Sequence, residues 1–395
     1  MPAISSISYR TVLNSHVEFT PEFVVELADG SVGQGASPQG ETIGIYEDRR
    51  ATATPPSIVR AIADEGFLGK EISQATFDEY LQARIPAFGR NNAFALSLAF
   101  FTARHRARPA FDLFGLAPRK LEPPRLALNI LNGGRFAYTN PVLSDFSEFL
   151  LVAKSRDLAE VVPEHNAIQR LVAQRQLRQA KAVAAGHLVN AFAALDNRAV
   201  LDFLLDVVRG LGLADRYELM IDASAGDLWT GDGYRLGLTD GTAFSGEAFV
   251  DYWSGLIRDY GLRFLEDPFH EQDFDSWRAL TSSQPSCVIV GDNLYSSDEG
   301  RIREGAARGT ANGAVIKPNQ AGTVTAVVRA LQAAKETGHV AIASHRSIST
   351  ESTFLSLLAC LFGADAVKIG PLASDFTSVA RLNEIIRLTE GRDAG

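Results

Sequence analysis

The sequence predicts an α/β protein, a small α+β N-terminal domain followed by a (β/α)8 barrel. Three observations predict it. From Leu126 onward, short apolar runs alternate with helical segments, as strands joined by crossover helices do. Most of these runs carry Val, Ile and Leu on both faces, the composition of parallel strands covered by helices. The repeat is near roughly 25 residues and eight units fit, which favours a closed barrel over an open parallel sheet.

The elements follow in order. Ile4–Val12 and Glu22–Leu27 read as short strands, with a turn at Ala28-Asp29-Gly30. Val32–Thr42 (VGQGASPQGET) is polar and Gly-rich, and is expected to be a mobile loop. Helices are expected over Pro56–Glu65, Ser73–Ala83 and Asn91–Arg106; the last carries Phe94, Leu96, Leu98, Phe100 and Phe101 on a face fit to pack on a small sheet. Pro123-Pro124 interrupts either kind of element, so the domain boundary is placed there, giving domains 1–122 and 123–395. The later strands are expected at Glu218–Ile221, Leu262–Leu265, Cys287–Val290, Ala314–Ile316, Val340–Ala343 and Ala366–Val367. Between them, helices are expected at Phe249–Asp259, Asp298–Arg308, Ala321–Thr337 and Thr353–Phe362.

Composition narrows the function. With 395 residues, 46% hydrophobic and 22% charged, the chain is an ordinary globular protein. Its formal net charge of −9 argues against non-specific nucleic-acid binding. An anionic substrate therefore needs a local cluster of cations. No apolar run approaches the roughly 20 residues of a membrane span, and the N-terminus lacks a signal-peptide pattern. Cys287 and Cys360 lie in apolar runs without metal-ligand spacing, which suits free thiols in a reducing compartment. The expected location is the cytoplasm.

Each late apolar run ends at an ionisable residue: Asp222, Glu266, Asp292, Lys317, His345 and Lys368. In a barrel these positions ring the C-terminal mouth, where active sites are built. Three carboxylates are hard oxygen donors suited to Mg²⁺. Two lysines facing them are expected to depress each other's pKa, leaving one able to act as a general base. A metal beside them stabilises the charge that forms when a carboxylate's α-proton leaves. Arg346 and Ser347 add a planar fork and a hydroxyl for phosphate or phosphonate oxygens; a surface arginine beside a helix-capping serine is the structural alternative.

These residues carry a resemblance. LNILNGG (128–134), SEFL (147–150), MIDAS (220–224), LEDPF (265–269), VGDNL (290–294), IKPNQAGT (316–323) and SHRSISTESTF (344–354) resemble enolase motifs in order along nearly the whole chain. The resemblance implies an enolase-like fold, with an α+β capping domain before a modified (β/α)8 TIM barrel. It implies that Asp222, Glu266 and Asp292 hold the higher-affinity Mg²⁺ and that Lys317 takes the α-proton. Lys368 and His345 would contact the substrate's carboxylate end and the metal cluster, and Arg346 with Ser347 the phosphate. Glu148 would assist the leaving hydroxide. SPQGETIG resembles the mobile loop whose hydroxyl, here Thr42, reaches a second Mg²⁺. The substrate implied is a small phosphorylated or phosphonylated carboxylate, and the assembly a homodimer or larger.

The departures point to a specialised reaction. The enolase GDEGG carboxylate falls on His187 in AAGHLV, a residue able to serve as an acid near neutrality; a loop histidine without a catalytic role is equally open. NGGSHA reads NGGRFA, placing Arg135 and Phe136 in the phosphate region; DSRGNP reads NSHVEF (14–19), and the second Asp of GDDL is Asn293. The expected reaction is enolpyruvate-ester formation from 2-phosphoglycerate or a close analogue. The branch expected is one similar to carboxyphosphonoenolpyruvate synthase of phosphonate-antibiotic (phosphinothricin) biosynthesis. An ordinary enolase, a catalytically silent relative with a binding role, and an acid-sugar dehydratase of the wider superfamily are the alternatives.

Overall fold

The computed structural model describes residues 2–40, 43–47, 51–107, 109–134, 139–177, 181–184, 187–190 and 196–390, with backbone alone at 107, 182–184, 187 and 188. The first strands, β1 (Ile4–Leu13), β2 (Phe19–Leu27) and β3 (Val32–Ala36), form an antiparallel meander. β3 corrects the expected loop of 32–42 over its first part, Val32–Ala36. Its glycines are there for packing: a Cβ on Gly33 would lie 2.1 Å from Ala99 O, and one on Gly35 2.1 Å from Ala95 O. Both contacts are with the helix Arg90–Ala107. The strand thus lies directly on helix backbone, and Phe23, Val25 and Leu27 close the same core against Leu96, Phe100 and Ala103.

The helices Pro55–Asp64, Gln74–Ala83 and Arg90–Ala107 stand where the pattern predicts. The Ser73 side chain accepts from Thr76 N at 3.0 Å, satisfying an otherwise unpaired N–H of the second helix.

The following strands are β4 (Arg125–Asn132), β5 (Glu148–Ala153), β6 (Lys181–Ala184), β7 (His187–Asn190), β8 (Tyr217–Asp222), β9 (Tyr234–Arg235) and β10 (Ala243–Phe244). They continue with β11 (Phe264–Glu266), β12 (Val288–Gly291), β13 (Gly313–Ile316), β14 (Val340–Ser344) and β15 (Ala366–Lys368). Eight of them close a barrel in the order β11-β12-β13-β14-β15-β4-β5-β8, while β6–β7 and β9–β10 are two-stranded excursions. Ala127, Leu150, Val152, Met220, Phe264, Val290, Val315, Ile342 and Ala366 fill the interior, so the barrel is a packed core.

The barrel departs from the all-parallel expectation at one strand. β5 runs antiparallel to both β4 and β8. Its first residue, Glu148, is therefore in register with the last residues of its neighbours, Asn132 and Asp222. The expected helix over 321–337 is also two pieces, Pro318–Ala321 and Val324–Glu336, broken at Gly322 with φ +88°. Thr323 caps the second piece, accepting from Ala326 N at 3.2 Å. Cys287 and Cys360 are free and buried. No helix among the described residues is long and apolar enough to cross a membrane.

Candidate active site

The parallel strands deliver their C-terminal residues to one mouth, and reversed β5 delivers its N-terminal residue there too. Asp222, Glu266 and Lys368 end β8, β11 and β15; Asp292, Lys317 and His345 follow β12, β13 and β14 by one residue. Glu148, Asp222, Lys317, His345, Arg346, Ser347 and Lys368 line a cavity of about 450 Å³.

Lys368 is the electrostatic centre. Its ammonium lies 2.8 Å from Glu266 Oε2, 2.9 Å from Glu148 Oε2 and 3.1 Å from Asp222 Oδ2. Burial works against its charge, but Glu148, Glu266 and Asp222 outweigh it and hold the pKa well above the ordinary lysine value. The expected mutual depression of two lysines therefore does not describe Lys368, because it faces three carboxylates rather than a second ammonium. Burial also opposes the charge of Asp222, yet Lys368 and Lys317 keep its pKa low. Glu266 is pushed well up, by burial first and then by the Asp222 charge. Lys317 Nζ is paired with Asp292 Oδ2.

Asp292 is set from below. Its backbone N–H and that of Asn293 donate to the Asp267 carboxylate at 2.9 and 2.8 Å. Asp267 is buried and has a left-handed backbone, φ +43°. Asn129 Nδ2 donates to Glu148 Oε1 at 2.8 Å, steering that carboxylate toward Lys368. His345 Nδ1 lies 2.8 Å from the Arg346 carbonyl. Burial, then the Arg381 and Lys368 charges, drives the His345 pKa well below the ordinary histidine value, so the ring is neutral near pH 7.

The anion-site arginine is already paired and is not the surface residue of the structural alternative. Arg346 is buried at 3% exposure and donates from Nη1 to Glu47 Oε2 at 3.0 Å. Glu47 comes from the N-terminal domain, and Gly40 packs so closely that a Cβ there would fall 1.7 Å from the guanidinium. Ser347 is exposed at the mouth. Thr42, Arg135 and Phe136 lie outside the described residues. His187 begins β7, with its backbone paired to Ala184, and only its backbone is described. Asn190 of the same strand joins the 141–143 segment ahead of β5, through Asn190 N to Pro141 O at 3.2 Å and Leu143 N to Asn190 O at 3.0 Å.

Sequence reasoning missed Glu47, Asn129, Asp267, Gln320, Ser15 and His16; the last two also line the cavity. Asn129 carried a signal, being polar within an apolar strand, and so did Asp267, the second acid of the Glu266-Asp267 pair.

The donors can be weighed against a divalent cation. Among the described residues, no group of three or more His, Cys, Asp or Glu side chains could hold a metal ion as they stand; the lysines stand against the carboxylates instead. The donor set nevertheless fits one. It is all hard oxygen, it lies on the neighbouring strands β8, β11 and β12, and Glu266 Oε1 is buried without a hydrogen-bond partner.

Comparison with known proteins agrees with this geometry. The family described as "Enolase, C-terminal TIM barrel domain" matches residues 121–394. An enolase of Acidothermus cellulolyticus is 30% identical over an alignment of 423 residues that spans 100% of this chain and 95% of that protein.

Proposed function

The chain belongs to the enolase family, and from that premise we propose that it is a Mg²⁺-dependent enzyme forming an enolpyruvate ester from 2-phosphoglycerate or a close phospho or phosphonate analogue. What supports this reading above all is the gathering of Lys317, Lys368, Glu148 and Asp222 at one cavity, with Asp292 paired to Lys317 and Glu266 to Lys368.

In this reading Lys317 takes the α-proton as the neutral amine, and its contact with Asp292 keeps the side chain at the cavity and receives the ammonium that forms. Asp222, Glu266 and Asp292 hold the Mg²⁺, which when bound neutralises charge growing on the substrate carboxylate. Lys368, kept protonated by its acids, binds the carboxylate end beside neutral His345. Arg346 and Ser347 take the phosphorus group, Arg346 exchanging Glu47 for it. Glu148 assists the leaving group from the β5 side, with His187 as the acid. Arg135 and Thr42 complete the substrate contacts. Assembly is as a homodimer or larger.

The particular reaction we propose is that of a carboxyphosphonoenolpyruvate synthase in phosphonate-antibiotic biosynthesis. It is favoured by the replacement of the hydroxide-departure and phosphate loops at His187, Arg135 and Phe136 while the proton-abstraction residues are kept. The test is a ³¹P NMR product assay with Mg²⁺ and 2-phosphoglycerate, with and without nucleotide-activated phosphonoformate. A product bearing the phosphonoformate phosphorus is expected. Phosphoenolpyruvate made at ordinary enolase rates, with the donor ignored, would establish an ordinary enolase instead. Lys317→Ala is expected to cut turnover by about 10³-fold; unchanged turnover would remove the catalytic reading.

A further inference from the structure

Three residues beyond Lys317, the Gln320 side chain is buried at 2% exposure with both ends of its amide engaged. Its Oε1 accepts from Ser297 Oγ at 2.7 Å. The same Ser297 hydroxyl accepts from the backbone N–H of Lys317 at 2.8 Å. Two carboxylates at the far end of the amide require a donor there, so Oε1 is the end turned to Ser297 and takes its proton, while the hydroxyl oxygen accepts from Lys317. The NH2 group is then turned to two carboxylates, Asp292 Oδ1 and Glu47 Oε2, each at 3.4 Å.

Two further observations show that this position is tightly determined. Ser296 and Ser297 both have left-handed backbones, φ +44° and +53°, and Ser297 is 1% exposed. Such a conformation costs a non-glycine residue free energy and persists only where its surroundings enforce it. The N-terminal domain also grips the segment from outside the barrel. Arg90 donates to the Gln320 carbonyl at 2.7 Å, and Gln82 to the Ala321 carbonyl at 2.8 Å.

We propose that Gln320 is a positioning residue that locks the Lys317–Asp292 pair and ties it to the Arg346–Glu47 pair. One end of its amide fixes the Lys317 backbone through Ser297. The other end fixes the carboxylate that holds the Lys317 ammonium, and reaches the carboxylate that holds the anion-site arginine. A single side chain thereby sets the distance between the base and the place where the substrate's charged end docks. Long hydrogen bonds of this kind in a ligand-free site tighten when substrate arrives.

The inference rests on the proton-abstraction reading, and its test separates the two. The full-length protein with Mg²⁺ is given 2-phosphoglycerate in D2O, and α-proton exchange is followed by NMR for wild type, Gln320→Met, Ser297→Ala and the double variant. Amide hydrogen exchange at Lys317 is measured on the same four proteins without substrate. Gln320→Met is expected to lower saturated exchange turnover about 30-fold with half-saturation within about twofold, the signature of misplaced chemistry rather than lost binding. Ser297→Ala should do the same, and the double variant should lose no more than either alone, as residues acting through one relay do. The Lys317 amide should exchange about tenfold faster in each variant. Normal α-proton turnover in Gln320→Met overturns the proposal and leaves the proton-abstraction reading standing. Absence of α-proton exchange in wild type overturns that reading instead, and the Lys317 amide then decides. Unchanged amide exchange in Gln320→Met and Ser297→Ala overturns the positioning role. If Gln320→Met does not fold, Ser297→Ala answers by both measurements.

Discussion

Arg346 and Glu47 form a buried ion pair, Nη1 to Oε2 3.0 Å, that joins the barrel mouth to the N-terminal domain. Neither charge is well solvated, so the carboxylate competes directly with any anion for the guanidinium. Glu47→Gln keeps an acceptor oxygen for Arg346 and removes the competing charge. Inorganic phosphate is expected to bind about tenfold more tightly to this variant by calorimetry, about 1.4 kcal/mol. Weaker binding would mean that Glu47 orients the arginine without opposing the anion. Glu47→Ala removes one partner of a buried pair and should lower unfolding stability by about 3 kcal/mol.

Glu266 is wholly buried, and one of its oxygens has no hydrogen-bond partner among the described residues. If that oxygen serves Mg²⁺, ligand linkage predicts a gain of about 2.7 kcal/mol at a Mg²⁺ concentration 100 times the Kd. The gain should be visible as a rise in Tm for wild type and be absent in Glu266→Gln. An equal rise in both proteins would place the metal elsewhere.

His165 sits in the helix Leu158–Gln176 at 2% exposure, with Nε2 3.2 Å from Gln169 Nε2. Burial pushes its imidazole down to about 4. The folded state therefore holds it neutral, while the unfolded chain takes up a proton below about pH 6.5. The stabilisation is fully present above that pH and is lost as pH falls from about 6.5 to 4, an effect on the order of 3 kcal/mol. Chemical denaturation across this window should show a shallower loss in His165→Gln than in wild type. Parallel slopes would mean that other groups govern acid unfolding.

Gly35 tests the corrected strand. An added methyl would meet the Ala95 carbonyl at 2.1 Å and Ala99 N at 2.6 Å, both helix backbone that cannot rotate away. Gly35→Ala should destabilise the protein by about 3 kcal/mol. Were 32–42 the loop its composition suggests, the same substitution would be nearly neutral.

That segment shows where sequence reading stops. Gly33 and Gly35 look like punctuation because glycine serves both mobile turns and close backbone approach, and only the neighbouring helix distinguishes the two uses. The barrel was legible because its strands are apolar on both faces and end at charged residues, a local pattern that needs no partner to be seen. The reversed direction of β5 was not legible. Phe149–Ala153 is equally apolar whichever way the strand runs, and direction is set by register with Asn132 and Asp222.

The sequence alone determined the fold class, the family resemblance and the identities of Asp222, Glu266, Asp292, Lys317 and Lys368, because residue type and order are properties of the chain itself. Only the tertiary structure decided how these charges are matched. Lys368 lies among three acids, Arg346 is held by a carboxylate 299 positions away, and Gln320 stands between Asp292 and Glu47. The physical reason is that ion pairs and buried hydrogen bonds depend on distances of a few ångströms, and separation along the chain carries no such distance until the barrel closes and the N-terminal domain packs against its mouth.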